Sequence, residues 1–503
     1  MQVLSYNKET ATNIQNMKTT KSIFSILLIA SLIFLVPSCA INPVTGKKQI
    51  MFVSEEQEIA MGAQYHPSVV STFGIYDSPV IQKFIEEKGT EMGKISHRPN
   101  LKYHFTILDS PVVNAFAVPG GYLYVTRGIL AQFNSEAELI GVLGHEMGHV
   151  TARHSAQQQT NQTIGQAVLL GGMLASKEIY KLADEAMAGM QLLFMSFSRE
   201  NERESDRLGV EYATKIGYDA HKMADFFQVL EKMSMGSEQA GVPTFFSTHP
   251  NPEDRFNSVH RISDEWQAKY PGKNFIVDTN DYLSMIDGIV YGEDPRQGFV
   301  ENNTFYHPEL KFKFAFPSGW KLVNAPTQVQ MAAPDQKAGI IFMLSDESTP
   351  AAASQKAISD LKLSIIESKD VKVNGNNAVA VISQQASQSQ SGQQQVIKLC
   401  SYFIQKDGKV YTFHGIASDA DFNQFLPSFQ STMKGFATLT EASKLNVKPD
   451  RIRIKTVQKT STLADAFAYF KVPKEQYKEL ALLNNMELNQ QLTRGKLIKV
   501  ISQ

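Results

Sequence analysis

Cysteine is almost missing: the 503-residue chain has two, Cys39 and Cys400, too few for a disulfide framework. An excess of charge of one sign is missing too. The 49 Lys and Arg against 50 Asp and Glu leave a formal net charge of −1, which gives no reason to expect a nucleic-acid partner. Past residue 39 no apolar run reaches the roughly 18 residues a membrane-spanning helix needs. What remains is the composition of a globular protein, 43% apolar, 20% charged and 10% aromatic, in a chain long enough for two to four domains.

The N-terminus departs from that average. Lys18 and Lys21 precede a nearly continuous apolar run from Ile23 to Val36, which breaks at Pro37-Ser38-Cys39. At about 1.5 Å per residue this run falls short of a hydrocarbon core of roughly 30 Å, so it reads as a signal peptide over residues 1–39. Met17 is the more ordinary start for such a leader. Val36-Pro37-Ser38-Cys39 resembles a bacterial lipobox, which implies lipidation at Cys39; ordinary signal cleavage nearby is the alternative. A lipid anchor would hold the mature protein on a membrane without threading it. Ala40 after the cysteine favours the periplasmic face of an outer membrane. Cys400 lies in an alternating apolar stretch and reads as a buried strand thiol.

The chemistry concentrates in residues 40–300. Ser135 with Glu138 three residues on is a capping box that opens a helix expected from about Glu136 to His154. Within it stands His145-Glu146-Met147-Gly148-His149. Imidazoles four residues apart leave one helix face a turn apart, so His145 and His149 can take adjacent corners of a zinc tetrahedron. Glu146 can reach a metal-bound water from the side. Gly141, Gly144 and Gly148 form a second stripe; each costs about 1 kcal/mol against Ala in a helix, which makes sense if another backbone approaches closely.

A zinc centre of this kind needs a third protein ligand. Read as a helix, the stretch from Ser198 puts Glu202, Asp206, Gly209, Ala213 and Ile216 on one face. Carboxylates on an inward face suit a buried cation, so Glu202 is the third-ligand candidate. Asp206 could accept the free ring N–H of a liganding histidine. Glu200, Arg203, Glu204 and Arg207 fall on other faces and read as solvated charges.

Those residues carry a resemblance. His145 to His154, then Ser198-Arg199-x-x-Glu202-x-x-x-Asp206, is similar to the CAAX-prenyl-protease-like zinc metallopeptidases, or gluzincins, and within them to the periplasmic BepA/LoiP-like lipoprotein branch. Cys39 to Gly46 resembles the mature start of those lipoproteins. The resemblance implies one zinc per chain on His145, His149 and Glu202, Glu146 as general base and Asp206 supporting a ligand. It marks Asn114, Ala115, Phe116 and Ala117, before the Gly120-Gly121 turn, as a strand that aligns an extended substrate. His249, in Ser247-Thr248-His249-Pro250-Asn251-Pro252, is then either a regulatory fourth ligand or a surface-turn histidine. The implied activity is endopeptidase action on unfolded or misassembled envelope proteins, with the outer-membrane assembly machinery as a possible partner. A largely latent envelope chaperone with a zinc site is the alternative.

The expected fold class is α+β and multidomain. A mainly helical zincin-type domain with a small sheet spans 40–300. An α+β sandwich follows over 301–445, where Tyr306 to Leu310 leading to Phe316-Pro317-Ser318-Gly319-Trp320 resembles PsbP-like domains. Ser383 to Gln395, rich in Gln and Ser, reads as a mobile hairpin loop. Residues 449–503 resemble a βααβ LysM module. Thr460-Ser461-Thr462-Leu463 stands where such modules carry Gly-Asp-Thr-Leu, so binding to peptidoglycan and a docking or spacer role both stay open.

Overall fold

The structure is a computed structural model that describes residues 38–51, 53–158, 197–235, 245, 248–249, 254–388 and 394–503. The apolar leader and the Cys39 side chain lie outside these; the Cys39 backbone sits in a short hairpin of β1 (Ser38–Ile41) and β2 (Lys48–Met51). Among the described residues no helix is long and apolar enough to cross a membrane.

The first body holds α1 (Glu55–Phe73), α2 (Pro79–Ile95), β3 (His104–Leu108), β4 (Ala115–Val118), β5 (Tyr122–Thr126), α3 (Arg127–Gln132), α4 (Glu136–Thr151), α5 (Arg199–Lys215), α6 (His221–Met235), α7 (Arg255–Gln267) and α8 (Thr279–Met285). Its three strands run in the order β3-β5-β4, so β4 is an edge, pairing antiparallel with β5 and packing against α4. Helix α4 is buried along its whole length. That explains its residues: Leu139, Ile140, Val142 and Leu143 fill the core, while Gly144 and Gly148 admit α5 and Gly141 admits Met223 of α6. A Cβ on Gly144 would stand 3.0 Å from the Gly209 oxygen, and one on Gly148 would stand 3.0 Å from the Ser205 Cα.

The capping of α4 differs in one detail from the expected box. Ser135 Oγ accepts the Glu138 N–H at 3.3 Å, but the Glu138 carboxylate reaches one residue further back, to the Asn134 N–H at 2.6 Å. The far end differs more. The helix stops at Thr151, short of His154, because Arg153 takes a left-handed φ of 61°. Its guanidinium is tied to Glu58 at 2.8 Å and to the Val53 carbonyl at 2.9 Å, which holds the turn against its cost.

The second body is antiparallel. β6 (Phe299–Glu301), β7 (Thr304–His307), β8 (Phe312–Ala315) and the short β16 (Ala437–Thr438) form one sheet. β9 (Lys321–Ala325), β10 (Gln328–Ala332), β11 (Ala338–Ser345), β12 (Ser364–Val373), β13 (Asn376–Gln388), β14 (Gln394–Lys406) and β15 (Lys409–Ser418) form a seven-stranded one. Two helices, α9 (Pro350–Asp360) and α10 (Asp419–Lys434), pack on it. The flanks of the Gln/Ser tract are strand rather than loop, Gln384 pairing with Lys398 and Gln388 with Gln394; residues 389–393, between them, lie outside the described residues. Alternate polar side chains find a place inside, Ser383 and Gln385 being buried. Cys400 is 1% exposed in β14, and burial pushes its thiol up to about 12, which excludes a nucleophile.

A small helix, α11 (Ala442–Leu445), leads to the last body, which runs β17 (Arg451–Thr456), β18 (Ser461–Thr462), α12 (Leu463–Tyr469), α13 (Tyr477–Leu483), β19 (Gln491–Leu492) and β20 (Leu497–Ser502). It does not stand apart. Ile452, Phe467 and Leu480 belong to the same continuous core as Leu139 and Phe226.

Candidate metal centre

Four side chains from three places in the chain meet behind α4. His145 and His149 come from α4, Glu202 from the first turn of α5, and His249 from the segment before α7. His145 Nε2 lies 3.1 Å from His149 Nε2, 3.4 Å from Glu202 Oε2 and 3.3 Å from His249 Nδ1. Glu202 Oε1 lies 3.4 Å from His149 Nε2 and 3.1 Å from His249 Nδ1. Bonds of about 2.0–2.1 Å to a tetrahedral zinc put its corners roughly 3.3–3.4 Å apart, so these separations suit one ion. The chemistry fits as well: Glu202 Oε2 is a buried oxygen without a hydrogen-bond partner, and the donor set is three imidazoles and a carboxylate.

Electrostatics differ from ligand to ligand. Burial disfavours charge on His145, but hydrogen bonds to Asp206 and Glu202 outweigh it and carry the ring up to about 9. Burial holds His149 well below the ordinary histidine range. Glu202 is also penalised by burial, yet His249, His145 and His149 keep it well below the usual carboxylate range. Glu146 is 1% exposed, both its oxygens are unpartnered by hydrogen bonds, and burial raises its pKa. His249 Nε2 lies 3.4 Å from its Oε1.

Asp206 sits behind His145, its Oδ1 2.9 Å from Nδ1. Arg255 forks that carboxylate with Nε at 2.9 Å and Nη2 at 2.6 Å, and stacks its guanidinium 3.8 Å from the Phe227 ring centre. Phe197 stacks on His149 at 4.0 Å and Phe245 on His249 at 4.5 Å, shielding both rings. The Asn114 side chain is fully buried with neither amide atom partnered, directly before the edge strand carrying Ala115, Phe116 and Ala117. The Phe245 N–H donates to the Val113 carbonyl at 3.2 Å, so the segment bearing His249 is laid against the entry to that strand.

Glu204 is a correction. It is not a solvated charge: its side chain is 22% exposed, and it meets the buried His154 at 3.1 Å. Glu200, Arg203 and Arg207 are exposed, as their helix faces imply. The sequence signal for Arg255 was only its place after the His249 loop, and its role behind Asp206 was not readable from spacing. Pro250, Asn251 and Pro252 lie outside the described residues.

Residues 79–263 match the model of Peptidase family M48. Over these residues the chain is similar to M48 peptidases. Families of this kind use a divalent metal, usually zinc, and the matched segment, with the four-residue cluster, could hold one. The chain is 27% identical over 239 residues to a beta-barrel assembly-enhancing protease of Yersinia pestis, covering 46% of this chain and 49% of that one. It is 29% identical over 225 residues to the putative beta-barrel assembly-enhancing protease of Vibrio cholerae, covering 43% and 45%. Over 184 residues it is 31% identical to the mitochondrial metalloendopeptidase OMA1 of Arabidopsis thaliana, covering 36% of each. The matched segment spans about half the length of the first two relatives. Among solved structures, cyanobacterial PsbP of Synechocystis is similar over 27% of this chain and 91% of that one, at 11% identity and a TM-score of 0.22; a likeness that small decides nothing here.

Proposed function

We propose that the protein is a zinc-dependent endopeptidase of the cell envelope. The observation that carries this is the gathering of ligand atoms of His145, His149, Glu202 and His249 within 4.8 Å of one another beside the unpartnered Glu146 carboxylate. Zinc held by His145, His149 and Glu202 would supply Lewis acidity and make a water acidic enough to lose its proton near neutral pH. Glu146 takes that proton as the oxygen attacks a peptide carbonyl, and gives it to the leaving amine as the C–N bond breaks. Its raised affinity for a proton, from burial, suits both transfers. Asp206 holds His145 in the tautomer that binds through Nε2. The edge strand β4 pairs an extended substrate through its backbone, which tolerates many sequences.

His249 is read as a fourth ligand that closes the centre, since its two nitrogens face Glu202 and Glu146. Substrate therefore displaces it before turnover. Unfolded or misassembled envelope proteins are the substrate class, a reading supported by the names of the bacterial relatives. A lipid on Cys39 would keep the enzyme at the membrane. The last 55 residues are read as a docking module, because they share the core of the M48 domain.

The test is Glu146→Gln in the purified full chain. It should retain one zinc and lose cleavage of an unfolded protein by about 10²-fold or more; unchanged turnover overturns the assignment. The closed His249 also favours a second reading, an assembly factor that cleaves little. Growth rescue by Glu146→Gln equal to wild type would decide for that one.

A further inference from the structure

The two liganding histidines of α4 are supported from behind in unlike ways. His145 has a carboxylate directly on its Nδ1, and that carboxylate is fixed by Arg255. His149 has no carboxylate there. Its Nδ1 lies 3.0 Å from Nδ1 of His154, a side chain 1% exposed, whose Nε2 lies 3.1 Å from Glu204 Oε2. The Ser205 hydroxyl, at 3.4 Å from the same His154 nitrogen, is a more distant neighbour.

The geometry points to His154 and Glu204 as a positioning pair that fixes the ring and tautomer of His149 for metal binding, an inference that rests on the zinc reading above. The protons have one consistent arrangement. A neutral His149 that offers Nε2 to a metal carries its hydrogen on Nδ1. That N–H donates to His154 Nδ1, which leaves the His154 hydrogen on Nε2, where the Glu204 carboxylate accepts it. Each donor meets an acceptor and none is left over.

Helical spacing does not produce this contact, because five residues separate His149 and His154. The left-handed Arg153 produces it: the chain reverses there and folds His154 back under His149. Glu204 arrives from α5, two residues after Glu202, so one helix supplies both a ligand and the far end of the other ligand's support. Phe197 covers the open face of the His149 ring, which leaves Nδ1 with His154 as its polar partner.

The experiment measures zinc dissociation by chelator competition on the full chain, the visible spectrum of the cobalt-substituted protein, and the thermal midpoint without metal. His154→Phe should weaken zinc about 10- to 100-fold and change the cobalt spectrum, because a buried N–H on His149 loses its acceptor. His154→Asn, which keeps an acceptor near the same place, should recover most of that affinity. Glu204→Gln, at the end nearer solvent, should weaken zinc by several-fold while leaving the metal-free midpoint in place. Wild-type affinity and spectrum in both His154→Phe and Glu204→Gln overturn the proposal. So does a fall in the metal-free midpoint that accounts for the loss and is not rescued by Asn. A wild-type chain that binds no zinc overturns the metal centre itself, and this inference with it.

Discussion

Arg255 shows how far a single side chain reaches in this site. The residue is 3% exposed, and its guanidinium forks Asp206, approaches Glu202 Oε2 to 3.4 Å and lies over Phe227. It balances two carboxylates in a volume closed to water, where an unpaired charge is expensive. Arg255→Met should therefore cost about 3–5 kcal/mol, the penalty of leaving a buried ion without its partner. A lower denaturant midpoint of the metal-free protein would register it, and an unchanged midpoint would show that Asp206 is not held by this pair. His145, Glu146 and His149 were legible in the sequence because helix geometry fixes their relative positions before any packing occurs. Arg255, His154 and Glu204 were not, since their partners are 49 to 110 residues away or lie across a left-handed turn.

At the scale of elements, the contact of α4 with α5 decides the centre. Two candidate ligands ride on one helix and the third on the other, so the spacing of the helix axes sets their mutual distance. Gly209 sets it: a Cβ there would stand 2.9 Å from the His145 backbone nitrogen, with no flexible side chain to give way. Gly209→Ala gains about 1 kcal/mol in helix propensity but forces the helices apart, at a cost of about 1–3 kcal/mol. The expected outcome is a small net loss of thermal stability and a clear loss of zinc affinity in chelator competition. The second effect should exceed the first, because Glu202 and Asp206 move with α5. The glycine stripe on α4 announced a close neighbour; which helix it was, only packing could say.

At the scale of the molecule, the C-terminal body is built into the first body. Residues 288–291 add to the edge of β17, with the Gly288 N–H donating to the Ile452 carbonyl at 2.8 Å and the Ile452 N–H to the Ile289 carbonyl at 2.9 Å. Lys499, fully buried on β20, donates to the carbonyls of Ala131, Gln132 and Phe133 at 2.9–3.1 Å, where α3 ends. Helix C-terminal carbonyls welcome a cation. Burial nevertheless draws the Lys499 amine down to about 7, against the pull of Glu138. Lys499→Met leaves those carbonyls unpaired and should lower stability by about 2–4 kcal/mol. Calorimetry should show the first body and the C-terminal body losing stability together; a loss confined to residues 449–503 would show that they unfold apart.

The sequence by itself determined the local chemistry: the cap that starts α4, the two imidazoles and the carboxylate on it, and the inward face of α5 bearing Glu202 and Asp206. Those follow from periodicities that act over four to eight residues. Tertiary structure alone decided that His249 comes within 3.1 Å of Glu202, that His154 lies under His149 with Glu204 behind it, and that Arg255 forks Asp206. It also decided that the C-terminal body shares the core of the first body. Each of these depends on which surfaces exclude water together, and that is a property of the packed chain that no short window of residues contains.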